Sequence, residues 1–150
     1  MVTASCGCDD STCGSTETAH LVLEATVEEL SSATLVACRG DQCWSAELGA
    51  LSDVSTSDRF IIPAETDSPS YEVRLAVWVQ VESSSVSIDL NWDLSSGDAV
   101  QSGDVLSASI TTAQNEELFA AMAEVKRFTT TSNACGTTEC RNVEVNLVPP

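Results

Sequence analysis

Residues 71–94 read YEVRLAVWVQVESSSVSIDLNWDL, and the alternation within them decides the fold class. Val73, Leu75, Val77, Val79 and Val81 fall on one face of an extended chain, with Arg74 and Gln80 on the other. Past a turn at Ser83 to Ser85, Val86, Ile88, Leu90, Trp92 and Leu94 alternate with Ser87, Asp89, Asn91 and Asp93. Side chains of a strand point to opposite faces in turn, so this second run is a half-buried antiparallel strand, dry on one side and wet on the other. Trp78 and Trp92, both on strands with apolar faces, are expected in the core.

The same period recurs on either side. Leu21, Leu23, Ala25 and Val27 alternate with Val22, Glu24 and Thr26 as a first strand, ended by a turn over Glu28 to Ser32. Ala33 to Cys38 and Cys43 to Leu48 flank Arg39 to Gln42 as the arms of a hairpin. Arg59 to Ile62 is a short strand stopped by Pro63; Val105 to Thr112 and Arg141 to Val148 are two more. Residues 115–128 send mixed signals. Asn115 with Glu116 and Glu117 has the form of a helix start, and Leu118 to Glu124 is strongly helix-forming. Val125 to Thr131 is instead β-branched and aromatic. A strand is expected over 124–131, in a hairpin with Val143, Val145 and Leu147, while 115–123 suits either helix or strand.

Residues 1–17 are short on large apolar side chains and rich in Ser, Thr, Gly, Asp and Cys, the composition of a flexible tether. Residues 18–150 then form a single domain. About seven to nine short strands separated by frequent turns imply an all-β sandwich or barrel. Over residues 18–148 the pattern resembles an immunoglobulin-like or fibronectin-type antiparallel sandwich, of the sort carried by bacterial secreted proteins and lipoproteins. The immunoglobulin signature of two distant cysteines bridging the sheets around a Trp is missing, because the cysteines here are spaced for local pairing.

Six cysteines form three pairs with one spacing: Cys8 with Cys13, Cys38 with Cys43, and Cys135 with Cys140, each enclosing four polar or small residues. Two cysteines flanking a hairpin turn lie within disulfide reach, so three short-range bridges are expected, and with them an oxidising compartment outside the cytoplasm. Two such pairs could alternatively supply a tetrathiolate zinc site from Cys38, Cys43, Cys135 and Cys140. Cys6 is left over. It follows Val2-Thr3-Ala4-Ser5 and precedes Gly7, which resembles the end of a bacterial lipoprotein signal, although Thr3 stands where that family has Leu. The resemblance implies that Cys6 is lipidated and that the tether lifts the domain off a membrane.

The chain has 150 residues, 43% of them hydrophobic, with 23 acids against 6 bases and a net charge of -17. Such a surface repels phosphates and anionic headgroups, which argues against nucleic acid and leaves membrane contact to a lipid anchor alone. Catalytic signals are missing: His20 is the sole imidazole, no Ser sits in a nucleophile elbow, and no glycine loop cradles phosphate. Arg39-Gly40-Asp41 inside its cysteine loop resembles the adhesion tripeptide of integrin ligands. Asp89, Asn91 and Asp93, with Asp98 and Asp104, could supply hard oxygen ligands, and Asp93, Asp98 and Asp104 are the candidate calcium set. The composition thus suggests a non-enzymatic, exported binding or structural domain without an obligatory cofactor, whose partner is a protein or glycan at the cell surface. A calcium-dependent carbohydrate-binding or adhesion module is the alternative, and it requires an exposed aromatic platform.

Overall fold

In the computed structural model the described residues are 15–49, 59–67, 73–82, 84–94, 101–132 and 139–150. Among them the strands are β1 (Ser15–Leu23), β2 (Thr34–Arg39), β3 (Gln42–Glu47), β4 (Arg59–Ile62), β5 (Val73–Val81), β6 (Val86–Leu94), β7 (Val105–Thr111), β8 (Glu117–Glu124), β9 (Thr129–Ser132) and β10 (Glu139–Asn146), with one short helix, α1 (Val27–Leu30). They make two sheets. Six strands run in the order β4-β5-β6-β1-β10-β9 and four in the order β3-β2-β7-β8.

Alternation in β5 and β6 places their apolar residues inward. Val77, Val79, Val81, Val86, Ile88, Leu90 and Trp92 are all buried, and Val77 faces Leu90 in the antiparallel register. Leu35, Ala37, Trp44, Ala46, Leu106, Ala108, Ile110, Phe119 and Ala121 supply the opposing layer from the smaller sheet, all in one continuous core. Trp44 meets Trp92 edge to face across the sandwich, with ring centroids 6.5 Å apart at 67°. Each fully buried Leu or Ile contributes about 1.5–3 kcal/mol, so the two inner faces account for most of what holds the sheets together.

Several expectations are corrected. Ser15, Thr16 and Glu17, assigned to the tether, are the first residues of β1, and Ser15 and Glu17 are buried. Their parity with Ala19, Leu21 and Leu23 turns them inward. The first strand stops at Leu23 and does not reach Val27. Thr26 caps α1 instead, its side chain accepting from Glu29 N at 3.2 Å, with Glu28 and Glu29 in the first turn where acids favour a helix N-terminus. The sandwich is also not wholly antiparallel: β1 and β10 run parallel, with Glu17 opposite Val143 and His20 opposite Asn146.

Residues 115–123 are turn and strand. Asn115 is not a helix cap; at φ 63° it is the left-handed residue of a turn whose Thr112 N donates to Glu116 O at 2.8 Å. β8 follows and pairs along β7 from Glu117 to Glu124, so sheet pairing overrides the helix propensity of its Ala-rich sequence. The single strand expected over 124–131 is interrupted. Val125 is held to the turn before β7 by Val125 N to Asp104 O and Gly103 N to Val125 O, each 2.7 Å. Only after Phe128 does the chain cross to the larger sheet, where β9 pairs with β10.

Trp78 is a further correction. It shares the parity of Arg74 and Gln80, lies half-buried on the outer face, and carries the Arg59 guanidinium 4.8 Å from its ring centroid. The hairpin of β2 and β3 turns at Gly40 and Asp41 with Gly40 at φ 58°, a conformation that costs glycine little. Cys38 and Cys43 face each other there and are disulfide-bonded, with Cα atoms 4.1 Å apart. A bonded pair has no thiolates to offer a cation, so the four-cysteine zinc site loses two of its ligands. Trp44, next in the chain, faces the core, while Cys43 faces out.

Candidate functional site

The outer face of the six-stranded sheet gathers polar side chains from five strands. Ile61 is opposite Trp78, Trp78 opposite Asp89, Asp89 opposite His20, and His20 opposite Asn146, so these five stand in one row. His20 Nδ1 lies 2.6 Å from Asp89 Oδ1, which makes Nδ1 the donating nitrogen. Arg59 Nη2 approaches the other carboxylate oxygen at 3.5 Å while its guanidinium covers Trp78. A parallel set of contacts runs alongside: Asn91 Nδ2 donates to Thr18 Oγ1 at 3.2 Å and Thr16 Oγ1 to Asn142 Oδ1 at 3.0 Å.

Next to this row is a groove of about 750 Å³. Thr16 and Thr18 of β1 with Asn142 and Glu144 of β10 form its floor, and Arg127, Phe128 and Thr129 form its wall. The parallel pairing of β1 and β10 sets the floor, since it brings Thr16 level with Asn142 and Thr18 level with Glu144. Arg141 stacks on Phe128 at 4.8 Å and braces the wall. Hydroxyls, a carboxamide, one acid, one base and one aromatic ring are the groups that bind a polar, hydroxyl-rich ligand through hydrogen bonds and ring contact. A shallower depression on the outer face of the smaller sheet, near Val36, Ala120 and Met122, is almost wholly apolar.

Beneath the groove floor, on the inner side of β1, sits a charged cluster. Glu17 is 0% exposed and accepts from Arg39 Nε of the opposite sheet; Arg39 Nη2 also donates to Asp104 Oδ2 at 3.1 Å. Burial pushes the Glu17 carboxyl up to about 7, with Arg39 pulling it down and Asp104 adding to the rise. Glu17 Oε2 and the Nε1 of its register neighbour Trp92 are buried and have no hydrogen-bond partner among the described residues.

The residues singled out in the sequence are scattered. Gly40 and Asp41 form an exposed tip, but the guanidinium of Arg39 is drawn back to Glu17 and Asp104, so the tripeptide is not displayed as a unit. Asp93 is exposed on the outer face of β6, whereas Asp104 is bound to Arg39; Asp98 lies outside the described residues. Among the described residues no three His, Cys, Asp or Glu side chains are placed to hold a metal. Cys6, Cys8, Cys13 and Cys135 also lie outside the described residues, and of Cys140 only its backbone place in β10 is described. Neither Glu17 nor the groove is among the residues singled out in the sequence. The parity of Glu17 with Ala19, Leu21 and Leu23 was a signal for its burial; nothing local marks the groove, which depends on β1 lying beside β10.

No protein-family model matches the chain, and neither does a curated protein or a solved structure.

Proposed function

We propose that this chain is an exported, non-enzymatic binding domain that takes its ligand in the groove on the outer face of the six-stranded sheet. The observation that carries this reading is the groove itself, floored by Thr16, Thr18, Asn142 and Glu144 and walled by Arg127 to Thr129. Export is supported by the Cys38–Cys43 disulfide, because such bridges form and persist chiefly in oxidising compartments. The domain is read as immunoglobulin-like on the strength of its two packed sheets, and as attached at the cell surface through acyl chains on Cys6.

A glycan is favoured over a protein as the ligand. Hydroxyl and carboxamide groups around one aromatic ring suit a neutral polyol, and a net charge of -17 disfavours acidic partners. The test is a titration of the labelled protein with neutral oligosaccharides (cellohexaose, chitohexaose and laminarihexaose) followed by amide resonances. Shifts confined to Thr16–Thr18, Arg127–Thr129 and Asn142–Glu144, and lost in Asn142→Ala, are expected. Shifts elsewhere, or none at millimolar sugar, overturn the glycan. Fractionation tests the anchor: membrane partition that Cys6→Ser abolishes is expected, and soluble protein with an unmodified Cys6 removes it.

A further inference from the structure

Glu17 sits between Thr16 and Thr18 of the groove floor, yet its own side chain points the other way, into the sandwich. β1 is a central strand, paired with β6 on one side and β10 on the other, so Glu17 has little freedom to move. Its register neighbours Trp92 and Val143 carry no charge. The charged groups that act on it come from the other sheet: Arg39 at the end of β2 and Asp104 just before β7. With all three ionised, one guanidinium serves two carboxylates and an excess negative charge stays buried, next to a carboxylate oxygen that has no partner among the described residues. With Glu17 protonated the cluster is neutral.

Asp104 is the acid able to give way. Its side chain is 23% exposed and it belongs to a turn containing Gly103 at φ 102°. Gln101 N donates to Asp104 Oδ2 at 3.0 Å, tying the turn to the same carboxylate that Arg39 holds. That turn also carries the groove wall. Gly103 and Asp104 grip Val125 by two backbone hydrogen bonds, and Ser102 Oγ donates to Lys126 O at 3.3 Å. The next residues are Arg127, Phe128 and Thr129, which line the groove.

We propose that Glu17, Arg39 and Asp104 form a proton-operated latch between the sheets, closed while Glu17 is protonated and loosened at the Gln101–Asp104 turn when it ionises, and that this turn transmits the change to the groove wall. The link to ligand binding rests on the proposed role of the groove; the latch does not. Burial that holds the Glu17 carboxyl near 7, against an ordinary value of 4.5, puts the change close to neutral pH. Opening returns the carboxyl toward its ordinary value, so rising pH favours the open form. A return of one pKa unit corresponds to about a tenfold change in the opening equilibrium.

The experiment needs no ligand. Amide hydrogen exchange at Gly40, Gln101, Gly103 and Val125, corrected for the intrinsic pH dependence, is followed from pH 5.5 to 8.5 together with the carbon-13 shift of the Glu17 carboxyl. In the wild-type protein, protection at these amides falls about tenfold with rising pH, at the midpoint of the carboxyl titration. The amide resonances of Arg127 to Thr129 follow the same midpoint, and Glu17→Gln flattens all of these changes. Asp104→Asn removes the like charge and lowers the carboxyl midpoint. Protection that is unchanged across the range, that changes at a midpoint other than that of the Glu17 carboxyl, or that still changes in Glu17→Gln overturns the latch. A transition at the turn that leaves Arg127 to Thr129 unmoved overturns the coupling. Failure of every glycan to bind affects neither, because both are read from the free protein.

Discussion

Arg39, the last residue of β2, reaches across the sandwich and donates from Nε to the carboxylate of Glu17 on β1, so that one ion pair joins the two sheets. Its acid is wholly buried and its base is 19% exposed. Removing one partner of such a pair leaves an uncompensated charge, which is where the cost of breaking it lies.

Arg39→Ala should therefore destabilise the protein by about 3 kcal/mol at pH 8, and by clearly less at pH 5, where Glu17 can hold its proton. Urea unfolding at the two pH values measures the difference. An equal loss at both would mean that the burial of Glu17, rather than its charge, dominates.

Stability should fall as pH rises through the window from 4.5 to about 7. In that window the unfolded chain has released the Glu17 proton and the folded chain has kept it, so the unfolded state gains with each step upward; above it the difference stays constant. The contribution is on the order of 3 kcal/mol at most. Glu17→Gln should lack this component, being more stable than wild type at pH 8 and closer to it at pH 5. Thermal melts of the two proteins across pH 4.5 to 8.5 decide it, since the background repulsion of the remaining acids is common to both.

The two tryptophans on β5 and β6 should behave oppositely. Trp92 is fully buried against Trp44, so Trp92→Ala costs about 3–5 kcal/mol. Trp78 lies on the outer face under Arg59, and Trp78→Ala costs about 1 kcal/mol, mostly the cation–π contact and its share of covered surface. Equal losses in chemical denaturation would place Trp78 in the core.

Replacing both Cys38 and Cys43 by Ser should lower stability by about 2 kcal/mol without unfolding the domain, because the bridge closes a very short loop. The test compares the denaturation midpoints of the double variant and the oxidised wild type. A variant that is unfolded in buffer would show that the hairpin of β2 and β3 depends on its bridge.

Local alternation was enough to find β5, β6 and the hairpin, and the repeated cysteine spacing was enough to join Cys38 to Cys43. The expectation of Trp78 in the core overlooks its even position, which puts it on the face of Arg74 and Gln80. β8 was not readable. Leu118 to Glu124 favours a helix by itself, and only the ladder to β7, with Phe119 and Ala121 buried beneath it, makes it a strand.

The order of apolar and polar residues determines which face of each strand is dry, because that choice depends only on the two-residue period of an extended chain. It therefore settled the all-β class, most of the strands and most of the core. Which strands become neighbours is decided by packing between segments far apart in sequence. The parallel meeting of β1 with β10 makes the groove, the row from Ile61 to Asn146 needs five strands in register, and the Glu17–Arg39–Asp104 cluster needs two sheets face to face. Glu17 in isolation is an ordinary acid between two threonines; it becomes a titrating group near neutral pH only when the second sheet closes over it and takes its water away.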